Sequence, residues 1–438
     1  MNNNKTNNTN NNTNDSSNIK NTGCAGGKDV VVLAYSGGLD TSCILVWLIE
    51  QGYDVIAYVA NIGQKDSFEE LKFKALKLGA KKVIIDDVRE KFLEDYVWYS
   101  IQSGALYEDR YHMGTSLARP CIAKGLLDAA DVEGASHISH GATGKGNDQV
   151  RFELSAYSLK PDIKVIAPWR IEEFLERFNG RTDLFEYARQ HSIPLPVTPK
   201  SPWSIDANLF HVSYEGGILE DPEVESPSDI FLLTKHPSAA PDQPCRLEIT
   251  FLKGVPVKVK NVSTSEERES SLKLYEYINE MAMAHGVGRI DIVENRYIGM
   301  KSRGIYETPA GTVLYQAHLD LELLTLDREV RKIKRHLAAM FAEQVYQGYW
   351  HSPEAEYVRS CIRKSQDDVT GQVTVDLYKG QVYIIKRHSS RTLYNKELVS
   401  MDAKGDYDPQ DAGGFIKIQA LRLKEYRRQH STTSATNK

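Results

Sequence analysis

Val30-Val31-Val32-Leu33-Ala34-Tyr35-Ser36-Gly37-Gly38-Leu39-Asp40-Thr41-Ser42 is the stretch that decides the fold. Its first six residues form an apolar run rich in β-branched side chains, the pattern of a strand buried in a parallel sheet. Residues 41–49 read as a helix, and Gly52 is its natural C-terminal stop. The loop between them faces a helix N-terminus. There the first backbone N–H groups lack intrahelical partners and the helix dipole favours an anion. Two adjacent glycines let the backbone approach a phosphate closely. The hydroxyls of Ser36, Thr41 and Ser42 add donors. Asp40 would repel phosphate, so its chemical use is through Mg²⁺. The spacing is not that of the G-x-x-x-x-G-K-[ST] phosphate loop. Gly-Gly alone would be an ordinary corner; the full string directly after an apolar strand points to phosphate.

Moving outward, residues 54–60 read as a second strand. Asp66 or Ser67 caps a helix with Leu71, Ala75 and Leu78 on one face and Gly79 at its end. Residues 82–88, 138–139 and 164–166 read as further strands. Strands alternating with helices predict α/β architecture, a parallel sheet covered on both faces. A second glycine-rich loop follows the fourth strand: Ser139-His140-Gly141-Ala142-Thr143-Gly144-Lys145-Gly146-Asn147-Asp148-Gln149-Val150-Arg151. Lys145 supplies positive charge, and Thr143 and Asn147 supply neutral polar contacts. Ser139 stands where the phosphate-loop motif needs glycine, which excludes that motif. By itself the loop reads equally as a surface turn. Two such loops at strand ends of one sheet point to a ligand, because open parallel sheets bind outside the carboxyl ends of their strands.

The pattern changes after about residue 190. Pro194, Pro196, Pro199 and Pro202 punctuate a linker. Beyond it Leu247, Ile249 and Phe251 alternate, Gly254 turns the chain, and Val257 and Val259 follow. Residues 373–378 and 381–385 flank Lys379-Gly380 as a second hairpin, with helices expected over 271–285 and 328–349. This is an α+β composition. Residues 415–428 place Ile416, Ala420 and Leu423 at helical spacing, and such a terminal helix must dock on its own domain or on a neighbouring subunit. The expected organisation is an Asn-rich disordered head (1–28), a nucleotide-binding domain (29–190), a second domain (191–414) and a C-terminal helix and tail (415–438).

Composition narrows the function. A chain of 438 residues, 41% hydrophobic and 26% charged, suits two soluble domains. A net charge of −5 lacks the basic excess of a nucleic-acid binder. The five cysteines, Cys24, Cys43, Cys121, Cys245 and Cys361, include no C-x-x-C pair, which excludes a zinc ribbon or redox motif. His137 and His140 lack further ligands and read as flanking a strand end. No apolar run spans a bilayer, and the N-terminus lacks both the apolar core of a signal peptide and the arginines of a transit peptide. A cytoplasmic protein with no membrane partner is expected.

The two loops together resemble the argininosuccinate synthase family. So do Tyr111-His112-Met113-Gly114-Thr115-Ser116-Leu117-Ala118-Arg119-Pro120, Pro202-Trp203-Ser204, and the string from Gly288-Arg289-Ile290-Asp291 to Gly311. The resemblance runs from Val30 into the C-terminal helix and leaves out only the Asn-rich head. It implies a parallel-sheet nucleotide-binding domain of the PP-loop type, an α+β synthetase domain and a C-terminal helix that builds a homotetramer. It implies ATP as substrate with Mg²⁺, and the ligation of citrulline to aspartate with release of AMP and pyrophosphate. By motif match, ATP would meet residues 34–42, Ala60 and residues 139–147. Citrulline would meet Tyr111, Ser116, Asn147, Arg151, Ser204, Ser213, Glu294 and Tyr306. Aspartate would meet Thr115, Thr143, Asn147 and Asp148. Asp40, holding Mg²⁺ indirectly, Lys145 and Asp148 would carry the catalysis.

The chemistry fits these roles. Both amino acids are zwitterions; Arg151 can fork onto a carboxylate and Glu294 can accept from an ammonium or ureido N–H. Without the resemblance, Tyr306 would read as core and Ser213 as a strand-end hydroxyl. Two rival readings are a tRNA-thiolating PP-loop enzyme, which would want catalytic cysteines and a basic face, and a non-catalytic nucleotide sensor, against which Asp40, Lys145 and Asp148 stand.

Overall fold

Strand β1 (Val30–Ala34) lies at the centre of a sheet because its side chains are apolar on both faces: Val31, Val32 and Leu33 are fully buried. The computed structural model describes residues 28–194, 203–402 and 405–435; residues 1–27 of the expected disordered head, Pro196, Pro199 and Pro202 lie outside the described residues. Helix α1 (Leu39–Glu50) follows, starting two residues before its expected position. Then come β2 (Asp54–Asn61), α2 (Phe68–Lys77), β3 (Lys82–Asp87), α3 (Gly114–Val132), β4 (His137–Ser139), α4 (Asp148–Leu159), β5 (Lys164–Ile166) and α5 (Arg181–Gln190). All five strands pair in parallel, in the order β3-β2-β1-β4-β5. One apolar cluster covers one face, with Leu33, Ile44, Leu48 and Phe174. Another, with Val32, Ile56, Leu126 and Ile138, covers the other.

The strand order reverses between β1 and β4, and a crevice opens where connections leave in opposite directions. The loops after β1 and β4 are the two glycine-rich segments, so the topology brings them side by side.

The second half is antiparallel. Strands β6 (Ser204–Ala207) and β7 (Val212–Glu215) join β11 (Arg289–Asn295) and β12 (Lys301–Glu307) in the order β11-β12-β7-β6. A five-stranded sheet runs β10-β9-β8-β13-β14, from β8 (Cys245–Leu252), β9 (Val255–Asn261), β10 (Glu267–Arg268), β13 (Gly371–Tyr378) and β14 (Gln381–His388). Leu247, Ile249 and Phe251 are all fully buried, as their alternation requires. Helices α6 (Ser271–Ala284), α7 (Pro309–Thr325), α8 (Arg328–Gln347) and α9 (Pro353–Ser365) complete this half, and α10 (Pro409–Ala435) ends the described chain. Helix α10 starts before residue 415 and exposes Phe415, Ile416, Ile418, Leu421 and Tyr426 by 60% or more.

Helix α3 joins the halves. Leu117, Ala118 and Cys121 belong to the core of the second half, while Leu126, Leu127, Ala129 and Ala130 pack on the parallel sheet. Pro120 lies inside it and has no N–H for the carbonyl of Ser116 four residues back.

Candidate active site

The first loop is shaped from its glycines upward. Gly37 has φ +73°, and a Cβ there would stand 2.1 Å from Leu71 Cδ2. Its carbonyl accepts from Lys74 Nζ at 2.7 Å and from Ser42 Oγ at 3.3 Å. Ser42 is buried and also meets Tyr35 OH at 3.2 Å. Ser36 Oγ and Thr41 Oγ1 are 3.1 Å apart. Gly38 caps α1 without a side-chain bond, which leaves first-turn N–H groups for a ligand. Burial pushes the Asp40 carboxyl above its usual range, and the charge of Arg181 pulls the other way.

In the second loop, Gln149 Nε2 donates to Gly144 O at 2.7 Å and holds the turn. Ala142 N donates to His140 Nδ1 at 3.3 Å, so His140 Nε2 carries the proton and donates to Glu153 at 3.2 Å. His140 therefore shapes the loop. Among the described residues no cluster of three or more His, Cys, Asp or Glu could hold a metal alone.

A cleft of about 900 Å³ lies between the loops. Ala34, Tyr35, Ser36, Asp40, Thr41 and Ala60 line it from one side, and His140, Gly141, Ala142, Thr143 and Asp148 from the other. Gly37, Gly38, Leu39, Ser42, Ser139, Gly144, Lys145, Gly146 and Asn147 are not on its wall. Lys145 is exposed, with its carbonyl 3.4 Å from Arg296 Nη1. Asn147 is buried, and its Oδ1 accepts from Tyr297 N at 3.1 Å.

Beyond the cleft, one face of the β11-β12-β7-β6 sheet gathers residues distant in sequence. Tyr306, Ser213 and Asp206 stand in one row across three strands. Exposed Ser204 lies two residues along β6, on the same face. Tyr306 OH donates to Glu294 Oε1 at 2.8 Å, and its ring reaches there because Gly304 is bare: a Cβ would stand 2.3 Å from Tyr306 OH. Tyr111 stacks on Tyr306 at 4.1 Å. Glu294 Oε2, Ser116 Oγ and Tyr346 OH are buried without a hydrogen-bond partner among the described residues. Burial raises the Glu294 carboxyl above its ordinary range. Buried donors and acceptors of this kind are normally satisfied, and Glu294 and Tyr346 both lie beside Tyr111, so they mark a place for a polar ligand.

Asp148 is the electrostatic centre. Burial favours its neutral form, but Arg119 and Arg151 outweigh that and hold it at about 2. Arg119 Nη2 bridges Asp148 Oδ2 and Asp206 Oδ2, both at 2.8 Å. Arg151 gives one N–H to Asp148 Oδ1 and two more to the carbonyl of Tyr346. Its fork is thus turned to protein groups and not left free for a substrate carboxylate. Thr115 Oγ1 donates to Asp206 at 3.1 Å and lies 2.9 Å from His211 Nε2. Burial pushes His211 down to about 4, so the ring is neutral.

Arg119, Asp206, His211, Tyr346, Lys74 and Arg181 escaped the sequence reading as site residues. Arg119 stood inside a quoted motif; its lone charge in an otherwise apolar helical stretch was the available signal. The others carry no local pattern.

Two family models match the chain: an arginosuccinate synthase N-terminal HUP domain over residues 30–194 and an arginosuccinate synthase C-terminal domain over residues 203–426. The argininosuccinate synthases of Mus musculus and Homo sapiens are each 66% identical to it over 408 residues, 93% of this chain and 99% of theirs. That of Xenopus laevis is 65% identical over 401 residues, 92% of this chain and 98% of its own.

Proposed function

The chain belongs to the argininosuccinate synthase family, and from that premise we infer how its side chains divide the reaction. Citrulline and aspartate are ligated to argininosuccinate while ATP is split to AMP and pyrophosphate. The observation that supports this assignment is the cleft at the switch point, which both glycine-rich loops enter.

ATP lies with its β- and γ-phosphates on residues 36–42 and its α-phosphate toward residues 139–147, with Ala34 and Ala60 beside the nucleoside. Lys145 swings in from its exposed position to meet phosphate charge. The residues at Asp40 suit Mg²⁺: the donors are hard oxygens from Asp40, Ser36 and Thr41, and Mg²⁺ is usually held by one or two carboxylates plus substrate phosphates. Bound there, the ion would neutralise phosphate charge.

Citrulline takes the aromatic pocket of Tyr111 and Tyr306, with Ser116, Asn147, Arg151, Ser204 and Ser213 around it. Glu294 Oε2, which has no partner among the described residues, accepts from its ammonium. Aspartate takes Thr115, Thr143, Asn147 and Asp148. A carboxyl held at about 2 is a fixed negative charge, so Asp148 orients an ammonium and does not act as the base.

The ureido oxygen attacks the α-phosphorus, a P–O bond forms and pyrophosphate leaves. The aspartate ammonium gives up a proton to solvent, the resulting neutral amine attacks the ureido carbon, the C–O bond breaks and AMP departs with that oxygen. No nucleophilic side chain is needed; Cys43, in helix α1, is pushed up to about 12 by burial and is inert. Positioning supplies the rate, with effective molarities on the order of 10⁵ M available.

Further parts of the proposal are a homotetramer, in which the exposed apolar residues of α10 meet other copies, and a cytoplasmic location. No helix of the described residues is long and apolar enough to cross a membrane. The division near residue 190 into nucleotide-binding and synthetase domains belongs with it.

Heavy oxygen tests the chemistry. Citrulline labelled at the ureido oxygen should pass its label to AMP and none to pyrophosphate, as mass spectrometry reads. Unlabelled AMP would overturn the adenylate route.

A further inference from the structure

The segment that carries Tyr107 and Tyr111 has a second cleft on its other side. It measures about 730 Å³ and opens between Gly104–Asp109, α7 and α8. Lys334 and Glu322, 3% and 2% exposed, form an ion pair on its wall. Gln366 Nε2 also donates to Glu322 Oε1 at 2.9 Å, and His318 Nε2 donates to Gln366 Oε1 at 2.7 Å. Glu322 Oε1 is therefore engaged twice from within the protein.

The remaining charges are unbalanced. Four cations, Arg331, Lys332, Lys334 and Arg335, line the cleft against two carboxylates, Asp109 and Glu322. Lys332 is held by Glu329 outside the lining, at 2.9 Å from both oxygens. Arg331 Nε is buried and has no hydrogen-bond partner among the described residues. Arg335 forms no ion pair among the described residues. A buried guanidinium N–H without an acceptor costs free energy. Like charges four residues apart on a helix repel. Both costs vanish if an acceptor anion enters.

We propose that this cleft binds a small anion bearing carboxylate or phosphate groups, forked by Arg331 and Arg335 beside Lys334. Guanidinium pairs match such planar or tetrahedral oxyanions geometrically. The same anion tunes the substrate site. Asp109 lines the cleft, while Tyr107 and Tyr111, two residues to either side, stack on Tyr346 and Tyr306 at 3.6 and 4.1 Å. Glu108 and Asp109 both hold positive φ, so the turn has little slack. An anion beside Asp109 pushes on that turn, and the effect reaches the tyrosines. This coupling rests on the reading of Tyr111 as a citrulline contact; the binding itself does not.

Titration calorimetry of the full chain tests the site, with the nucleotide loops filled by α,β-methylene-ATP and with citrate and inorganic phosphate as separate probes. One probe per chain should bind. Citrate alone would assign a carboxylate ligand, and phosphate alone a phosphate ligand. Arg331→Ala/Arg335→Ala, and Arg335→Ala by itself at an exposed position, should weaken binding at least tenfold, while Lys332→Ala should not. Absence of binding by both probes, or binding indifferent to the arginines, would overturn the site. In steady state the bound probe should shift the citrulline KM at least twofold in the unsubstituted protein and not in the double variant. An unmoved KM with intact binding would overturn the coupling alone.

Discussion

Glu294 is buried, its carboxyl is raised by burial, and one of its oxygens has no partner among the described residues. A carboxyl raised in the folded state binds its proton more tightly there than in the unfolded chain. Stability therefore falls as pH rises through the interval just above 4.5. Glu294→Gln removes that penalty. We expect a melting temperature at pH 7 higher by roughly 1–2 °C, a gain that closes below pH 4.5, and a citrulline KM raised roughly ten- to hundredfold through loss of a charged acceptor. A lower KM would exclude Glu294 from substrate binding. Asp40→Asn removes another carboxyl raised by burial, so the fold should be as stable or more stable. Turnover should fall roughly a hundredfold or more, and a Mg²⁺ titration should show which step lost its anchor. At this scale a motif gives position: eleven of the residues expected to meet nucleotide or aspartate line the cleft. What was not legible is who holds them. The partners of Arg119 stand 29 and 87 residues away, and no spacing rule connects them.

The loop after β1 shows how an element constrains chemistry. Its carbonyl at Gly37 is pinned by Lys74 from α2, so the second helix helps to set the phosphate-facing backbone. Gly37→Ala would force a non-glycine residue to φ +73° and press on Leu71. The left-handed conformation costs roughly 1–2 kcal/mol. A loop displaced by about 1 Å costs up to roughly a hundredfold in kcat/KM for ATP. Activity near that of the unsubstituted protein would show that the loop tolerates the shift. Strands β1 and β2 were readable because each is an apolar run followed by a helix that a glycine ends, Gly52 and Gly79. The β11-β12-β7-β6 sheet was not, because its outer strands β6 and β11 are half exposed and β7 pairs with β12 about ninety residues on. Helix α1 began earlier than expected because Gly38 caps it through backbone alone.

Across the whole molecule, α10 carries apolar side chains that its own fold leaves bare. Removing residues 415–438 should lower the mass seen by light scattering to a smaller species. An unchanged mass would place the subunit contacts elsewhere. Sequence periodicity found this helix but could not say what it touches, since docking depends on surfaces outside the helix itself. Helix α3 has a different consequence. One end is rooted in the core of the second half and the other on the parallel sheet. Neither half can lose its order without pulling a shared rod out of the other. Calorimetry should therefore record one endotherm for the ligand-free chain, where two independently melting halves would give two. Hydrogen exchange along residues 114–132 should be among the slowest in the protein. A chain that reads as two units would then behave, under heat, as one cooperative body.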